Sequence, residues 1–467
     1  MLEEHLERRE IIARLVETRL EKGISQAELA RMIGTQRSNV CRLESGAQNP
    51  TLDMLLKITT ALGKELSVSW KDKEEAMREI YSLRIYDTQL MRFTMEERGL
   101  EGLVTEILYI DQEHAHQLPL DMERTNEGVI RWLNKRVIPK NRTFVDEILK
   151  SLGLSANDIK GIIDVCKGLS LNDSYWVVPE GFEGKFSQYN LYENRFSEIL
   201  ALVAYTGIGQ SHAAFTTSPE LTTNGMLPKA WRFVENDGIY LYKGGTSGAS
   251  NTGREPYCEY YASQIAEKMR LNAVRYDLEN WKGITASKCQ LFTDIDTALI
   301  PIGRLVKSGG IKACIDYYDA LGSEYSEQIR SMLIFDAVIY NEDRHFGNFG
   351  VLRDNHTGKI VAPAPIFDNG LSLFCYAGKE NLDDLGAYAK TRSNPYNISY
   401  ESICAEVMGA KQKEQLRRLI DFRFKRHPSI NLPEEHLIAV EEFLTARVRK
   451  LLAIPSRAKH PQAKERA

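Results

Sequence analysis

The sequence predicts a multidomain protein: an all-α domain at the N-terminus, then a larger bilobal α+β body. Three observations predict this. Residues 8–65 hold four short apolar-periodic segments bounded by capping residues or glycines. The chain from Pro228, and again from Phe349, alternates and turns as β-hairpins do. Helical patterns separate and follow these hairpins, ending in LIAVEEFLTARVRKLL. At 467 residues the chain has room for two or three domains.

The first helix is expected over residues 8–22, with Ile12, Leu15, Val16 and Leu20 on its buried stripe and Gly23 ending it. Ser25 can N-cap a second helix, with Glu28 completing a capping box. A third fits Gln36–Ser45 and buries Val40 and Leu43. The fourth opens at Pro50-Thr51, runs through Leu52, Leu55, Ile58 and Leu62, and stops at Gly63. Ala30 allows close helix approach, and Gly34 allows the tight turn between helices two and three. The runs SQAELARMIG and SNVCRLESGAQNPTLDML resemble the helix-turn-helix of Cro and lambda-repressor-like (XRE family) regulators. That resemblance implies operator DNA as a partner, with a homodimer reading paired half-sites. It places Gln36, Arg37, Ser38, Asn39 and Arg42 near bases or phosphates, and Gln26 at a phosphate. Val68 and Trp70 can form a short strand or dimer contact.

Lys71–Glu75 reads as a charged linker. Beyond it, helical and strand-like segments alternate to about residue 205. Helices are expected over Arg124–Ile138, over Val145–Leu152 and after the cap at Ser155–Asp158, the last burying Ile162, Ile163 and Val165. Tyr175 and Trp176 sit in a strand. Asp173, Glu193 and Asn194 read as turn and packing groups, and no autonomous catalytic motif stands here.

The chemistry concentrates in NEDRHFGNFGVLRDNHTGKIVAPAPIFDNGL, after the apolar helix end Met332–Tyr340. Asp343 and Asn348 lie in a polar loop. Strands Phe349–Leu352 and Ile360–Ile366, joined by the turn Asp354–Gly358, lead to Asp368. A hairpin would bring Asp343, Asn348 and Asp368 within reach of one point. An acid that takes a hydroxyl proton, beside an amide and an acid that hold magnesium on phosphates, suits phosphoryl transfer. The stretch resembles the H-R-D-x-x-x-x-N and D-F-G loops of protein kinases. It departs from them in Asn341-Glu342 before Asp343 and Asn369-Gly370 after Asp368. The D-R-H-x-x-N then F-D form is closer to the HipA family of bacterial toxin kinases.

Upstream, the hairpin PKAWRFVENDGIYLYKGG turns at Asn236-Asp237-Gly238 and ends at Lys243, and Glu259 begins the next helix. The run LYK followed by CEYYASQIAEKM also resembles HipA kinases. The resemblance makes Lys243 the ATP lysine and Glu259 its ion-pair partner. TTNGMLPK, with Gly225, is the candidate phosphate loop. HipA toxins autophosphorylate a serine just before the equivalent glycine; here Asn224 stands there, with Thr222 and Thr223 close by. Gly244–Gly253 is Gly/Ser-rich and reads as flexible. Lys288–Asp294 suits the hinge strand, with the backbone near Phe292 and Thr293 reading adenine.

The boundaries fall at 1–70 for the helix-turn-helix, 71–205 for a bridging α+β domain, 206–300 and 301–455 for the kinase lobes, and 456–467 for a disordered basic tail. The implied function is that of a DNA-binding, ATP- and Mg-dependent Ser/Thr protein kinase, a toxin-type growth regulator acting on its own promoter. By resemblance its substrate is a protein such as a translation factor or aminoacyl-tRNA synthetase. A nucleotide-sensing repressor with an inactive kinase-like domain, and a small-molecule kinase, stand as alternatives. Composition is that of a soluble globular protein, at 43% hydrophobic and 27% charged. A net charge of −4 gives no global drive toward nucleic acid or membrane. Seven cysteines without C-x-x-C argue against a disulfide framework or zinc site and for a reducing cytoplasm. MLEEHLERRE lacks an apolar core, so no signal peptide is expected, nor is a membrane span.

Overall fold

The computed structural model describes residues 2–45, 49–66, 79–98, 102–208, 218–247 and 253–456. Val68, Trp70, the linker Lys71–Glu75, the middle of the Gly/Ser-rich stretch and the tail beyond 456 lie outside the described residues. The chain divides into two units, Met1–Arg78 and Glu79–Ala467.

In the first unit, α1 (Leu2–Glu21), α2 (Gln26–Met32), α3 (Arg37–Glu44) and α4 (Leu52–Ala61) surround a small apolar core of Ile12, Leu29, Val40, Leu43, Ile58 and Leu62. Ser25 caps α2 in a reciprocal capping box with Glu28, and Thr51 caps α4. Leu20 does not join the core; it is 61% exposed. Arg19 takes the inward place instead, its guanidinium bonding both carboxylate oxygens of Glu44 at 2.6 and 2.8 Å and the carbonyl of Ile24 at 2.7 Å. A charged pair thus closes α1 on the end of α3 where an apolar stripe was expected.

The second unit begins with a meander that the periodicity hid. Strands β1 (Ile80–Ile85), β2 (Thr88–Arg98) and β3 (Gly102–Ile110) pair antiparallel, and β4 (Tyr175–Pro179) joins β1, giving the order β3-β2-β1-β4. Helices α5 (Asn126–Asn134), α6 (Val145–Ser151), α7 (Ile159–Cys166) and α8 (Glu198–Thr206) follow. Side chains from all four helices share an apolar core with this sheet. The expected helix Arg124–Ile138 is shorter at both ends, because Thr125 caps it and Lys135 ends it. Asp173 is a packing group: it takes a two-pronged ion pair from buried Arg136.

A second sheet holds β5 (Lys229–Val234), β6 (Gly238–Lys243), β7 (Asp277–Trp281) and β8 (Ile284–Gln290), in the order β5-β6-β8-β7. Helix α9 (Glu255–Met269) leaves it. Glu259 lies one turn inside α9 rather than at its start, since Pro256 occupies the first turn. The third sheet, β9 (Thr297–Pro301), β10 (Gly350–Asp354) and β11 (Ile360–Pro363), has the order β11-β10-β9. The expected second strand stops at Pro363 because Pro363 and Pro365 supply no N–H to a ladder. Around this sheet pack α10 (Ile302–Leu305), α11 (Gly310–Leu321), α12 (Ser323–Ile339), α13 (Lys379–Leu382), α14 (Leu385–Ala389), α15 (Tyr400–Val407), α16 (Ala410–Arg417) and α17 (Glu434–Leu452). The pattern QLRRLIDFRF is helical only to Arg417; beyond it Asp421 turns left-handed at φ 59°. The largest apolar core lies in this part, around Phe335, Ile339, Phe374 and Leu444.

Among the described residues no helix is long and apolar enough to cross a membrane.

Candidate functional site

Three segments far apart in sequence meet at Lys243. Its strand β6 ends there, and its ammonium lies 2.7 Å from Glu259 Oε1 and 2.5 Å from Asp368 Oδ1. Lys243 is 7% and Glu259 1% exposed, so the pair is desolvated. Desolvation opposes its charge, but the carboxylates of Asp368 and Glu259 raise Lys243 above the usual lysine range. Burial raises Glu259, against the pull of Lys243. Asp368 behaves oppositely: despite desolvation, Lys243 and Lys229 hold it well below the usual carboxylate range. It stays ionised at neutral pH.

Asp368 is delivered by backbone rather than by its own side-chain packing. Val274 donates to the carbonyl of Ile366 at 2.8 Å, and Ile366 donates to the carbonyl of Asn272 at 2.9 Å. The chain then turns left-handed, with Asp368 at φ 58°. Tyr276 Oη accepts from its N–H at 3.0 Å. The next residue, Asn369, donates its N–H to Glu259 Oε2 at 2.8 Å. A left-handed aspartate fixed on both sides is the kind of local strain that concentrates at functional sites.

The Asp343 loop follows α12, which ends because Tyr340 turns left-handed at φ 56°. Asn341 is fully buried and its Oδ1 accepts from the Asp343 N–H at 3.0 Å. Asn348 Nδ2 donates to the Asp343 carbonyl at 3.0 Å, which closes the loop. The amide nitrogen being engaged, its oxygen is the group suited to a hard cation. Asp343 is half-buried. Burial raises its carboxyl pKa, with His345 lowering and Asp368 raising it further.

Arg344 ties the two loops together. It is fully buried and pairs with Asp336 of α12 through Nε and Nη2. The same guanidinium donates to the carbonyls of Asn348 (3.1 Å) and Phe367, and to Asn369 Oδ1 at 2.5 Å. Five donors in a rigid fork serve acceptors on three segments. Neither Arg344 nor Asn369 was singled out from the sequence; a buried arginine beside an aspartate gives no local periodic signal.

Gly225 sits at φ +94° in the loop before β5, and a side chain there would meet Lys229 Nζ. Lys229 pairs across the β5–β6 ladder with Lys243 and donates to the Asn224 carbonyl at 2.8 Å. Burial first, and the ammonium of Lys243 second, bring its pKa down to about 7. The loop therefore adjoins the Lys243 cluster through Lys229, a residue read only as the loop's end. Thr222 is buried and donates to the carbonyl of Leu169, and Thr223 donates to that of Pro219. The Phe292 ring lies against Phe367, tilted by 35° with ring centroids 5.4 Å apart. Thr293 is buried and donates its hydroxyl to the Leu171 carbonyl at 2.5 Å, which leaves its backbone unaffected as a candidate for adenine.

The residues expected near DNA lie in the first unit. Gln36, Arg37, Ser38 and Arg42 are exposed on and before α3, and Asn39 is half-buried. Arg42 donates to Asn39 Oδ1, and Asn39 to Thr35 Oγ1. Gln26 Nε2 donates one hydrogen to Glu44 Oε2 at 2.8 Å, and its second amide hydrogen is the one suited to a phosphate.

Residues 15–68 match the family described as helix-turn-helix. A relative described as an uncharacterised HTH-type transcriptional regulator of Haemophilus influenzae is 40% identical over 58 residues, 12% of this chain and 59% of the relative. The match thus spans little more than half that relative's length. The chain carries a DNA-binding-type helix-turn-helix, followed by an α+β body of antiparallel sheets. Two solved structures are similar. One is the complex of HipA, HipB and operator DNA of Shewanella oneidensis MR-1, with 12% identity and a TM-score of 0.45 over 79% of this chain and 97% of that one. The other is the Helicobacter pylori proinflammatory kinase CtkA, with 19% identity and a TM-score of 0.39 over 48% of this chain and 92% of that one.

Proposed function

We propose that this chain is a DNA-binding Ser/Thr protein kinase of HipA type, which transfers the γ-phosphoryl group of ATP to a protein hydroxyl with magnesium. The observation that carries the reading is the join between two loops. Arg344 locks the Asp343–Asn348 loop to Asp368, and Asp368 and Glu259 together hold Lys243.

Each residue then has work that its surroundings suit. Lys243, charged and desolvated, binds ATP phosphates, and Glu259 keeps it aimed. Gly225 lets the loop backbone approach the phosphates. The backbone at Phe292 and Thr293 reads adenine. Asn348 and Asp368 offer an amide oxygen and an ionised carboxylate, a hard-oxygen pair that fits magnesium already bound to phosphates. Magnesium so held would neutralise charge on the transferring group. Asp343 orients the acceptor hydroxyl and takes its proton, and its raised pKa makes it a better base than a solvated aspartate.

With the kinase fused to a helix-turn-helix, one chain supplies repressor and enzyme in equal number. A growth regulator that acts on its own promoter as a dimer is consistent with that fusion, with a translation factor or aminoacyl-tRNA synthetase as the protein class phosphorylated. Incubation of the full chain with γ-labelled ATP, magnesium and cell lysate tests the reading. Label on protein is expected. Label confined to small molecules overturns the protein-kinase assignment. Absence of transfer, with operator affinity changing on ATP addition, makes the chain a nucleotide-sensing repressor.

A further inference from the structure

The Gly225 loop is gripped from outside the sheet that carries it. Arg142 lies in the turn before α6, and its side chain is fully buried against Glu220. It donates from Nη1 to the carbonyls of Glu220 (2.7 Å) and Thr223 (3.3 Å). From Nη2 it donates to the Lys229 carbonyl (2.9 Å) and to Glu220 Oε2 (2.5 Å). The other carboxylate oxygen of Glu220 accepts from the Trp231 N–H at 2.7 Å, at the start of β5. The neighbouring Thr143 donates both its N–H (2.8 Å) and its hydroxyl (2.7 Å) to the Met226 carbonyl. Arg142 and Thr143 therefore hold the loop before Gly225, just after it and at its far end.

We propose that Arg142 and Thr143 are positioning residues for nucleotide, presetting the Gly225 loop in the shape that receives the phosphates. This rests on the kinase reading above, and it gives the helical segment around α6 a part in that site. The physical case is one of preorganisation. A loop with a left-handed glycine and exposed residues at 224–226 would sample many shapes if left alone. Four bonds donated onto the loop, and two onto Glu220 just before it, remove most of that freedom before ATP arrives. The grip also fixes the Lys229 backbone, and with it the spacing of Lys229 from its ladder partner Lys243. A guanidinium is needed for this, since its planar fork reaches three carbonyls and a carboxylate at once.

The test uses the full chain with Arg142→Lys, which keeps a charge opposite Glu220 but loses the fork, and with Thr143→Val, which removes one hydroxyl bond from a half-buried residue. Three quantities are measured: melting temperature, amide hydrogen exchange of residues 222–227, and KM for ATP against kcat. For Arg142→Lys the expectation is loop exchange faster by about tenfold and KM for ATP raised by about tenfold, with kcat within about threefold. For Thr143→Val the same direction is expected at about threefold, with an unchanged melting temperature. If Arg142→Lys does not fold, Thr143→Val alone decides. A folded variant with wild-type loop exchange and KM overturns the proposal. So does a fall in kcat that tracks lost folded protein at unchanged KM, which marks a merely structural role. Wild-type protein that binds no MgATP instead overturns the kinase reading, while the exchange rates still report on the clamp.

Discussion

Replacing Asp343 by Asn keeps the size of the side chain and removes its charge and its capacity to take a proton. The loop around it should survive, because Asn341 and Asn348 bond its backbone and not its carboxylate. Near-normal ATP affinity is therefore expected, with phosphotransfer to protein reduced at least about a hundred-fold. Transfer that persists unchanged in Asp343→Asn, measured with labelled ATP, would take the base role from this residue. Asp368 is expected to behave differently, because its carboxylate is the one held ionised beside Lys243. MgATP at a hundred times its Kd should stabilise the wild type by about 2.7 kcal/mol. Asp368→Asn should lose most of the difference between melting with ATP plus magnesium and melting with ATP plus chelator. An equal difference in both proteins removes Asp368 from the metal site.

At the level of elements, α3 carries two exposed arginines and α17 a buried histidine whose effects can each be measured. On α3 the core is filled by Val40 and Leu43, while Arg37 and Arg42 are exposed. The double variant Arg37→Ala/Arg42→Ala should keep its helix content yet bind promoter DNA at least about tenfold more weakly. A gel shift equal to wild type would mean that α3 is not the reader. On α17, His436 is 2% exposed and its Nε2 lies 3.4 Å from the Leu373 carbonyl. Burial, helped by the charge of Arg254, lowers its pKa to about 4. The unfolded value is about 6.5, so between these limits the unfolded chain holds a proton that the folded chain does not. Stability is then lost as pH falls from about 6.5 to about 4, by at most about 3 kcal/mol from this group. Urea melts of wild type and His436→Gln should diverge over that window; parallel curves would show that His436 titrates normally.

For the whole chain, a net charge of −4 means that any DNA attraction is local to the helix-turn-helix. This chain is expected to bind its own promoter as a dimer, with affinity falling steeply as salt rises, because arginine–phosphate contacts release counterions. Binding that is insensitive to salt, or a monomeric complex in light scattering, would sink that expectation. How much of this molecule was legible in its sequence depended on range. The helix-turn-helix could be read because its caps, its glycines and the Val40 and Leu43 spacing act within a few residues. Asp343, Asn348 and Asp368 stood out because one hairpin separates them, and hairpin spacing is a local property. The strands β1 to β3 were missed although Met91, Phe93 and Met95 alternate, since Leu90 is buried beside them and breaks the period. Leu20 was misassigned because an ion pair between residues 25 apart displaced it. The links among the catalytic-type residues escaped for the same reason. Arg344 reaches Asn369, Lys243 reaches Asp368 across 125 residues, and Arg142 reaches Glu220 across 78. Spacing thus brought out Asp343, Asn348 and Asp368 as a set suited to phosphate chemistry, and the resemblance of SQAELARMIG and SNVCRLESGAQNPTLDML to helix-turn-helix regulators marked the helix expected to face DNA. Only the tertiary structure decided which buried charges face one another, because a buried ion's partner is set by desolvation and three-dimensional geometry, and neither leaves a period along the chain.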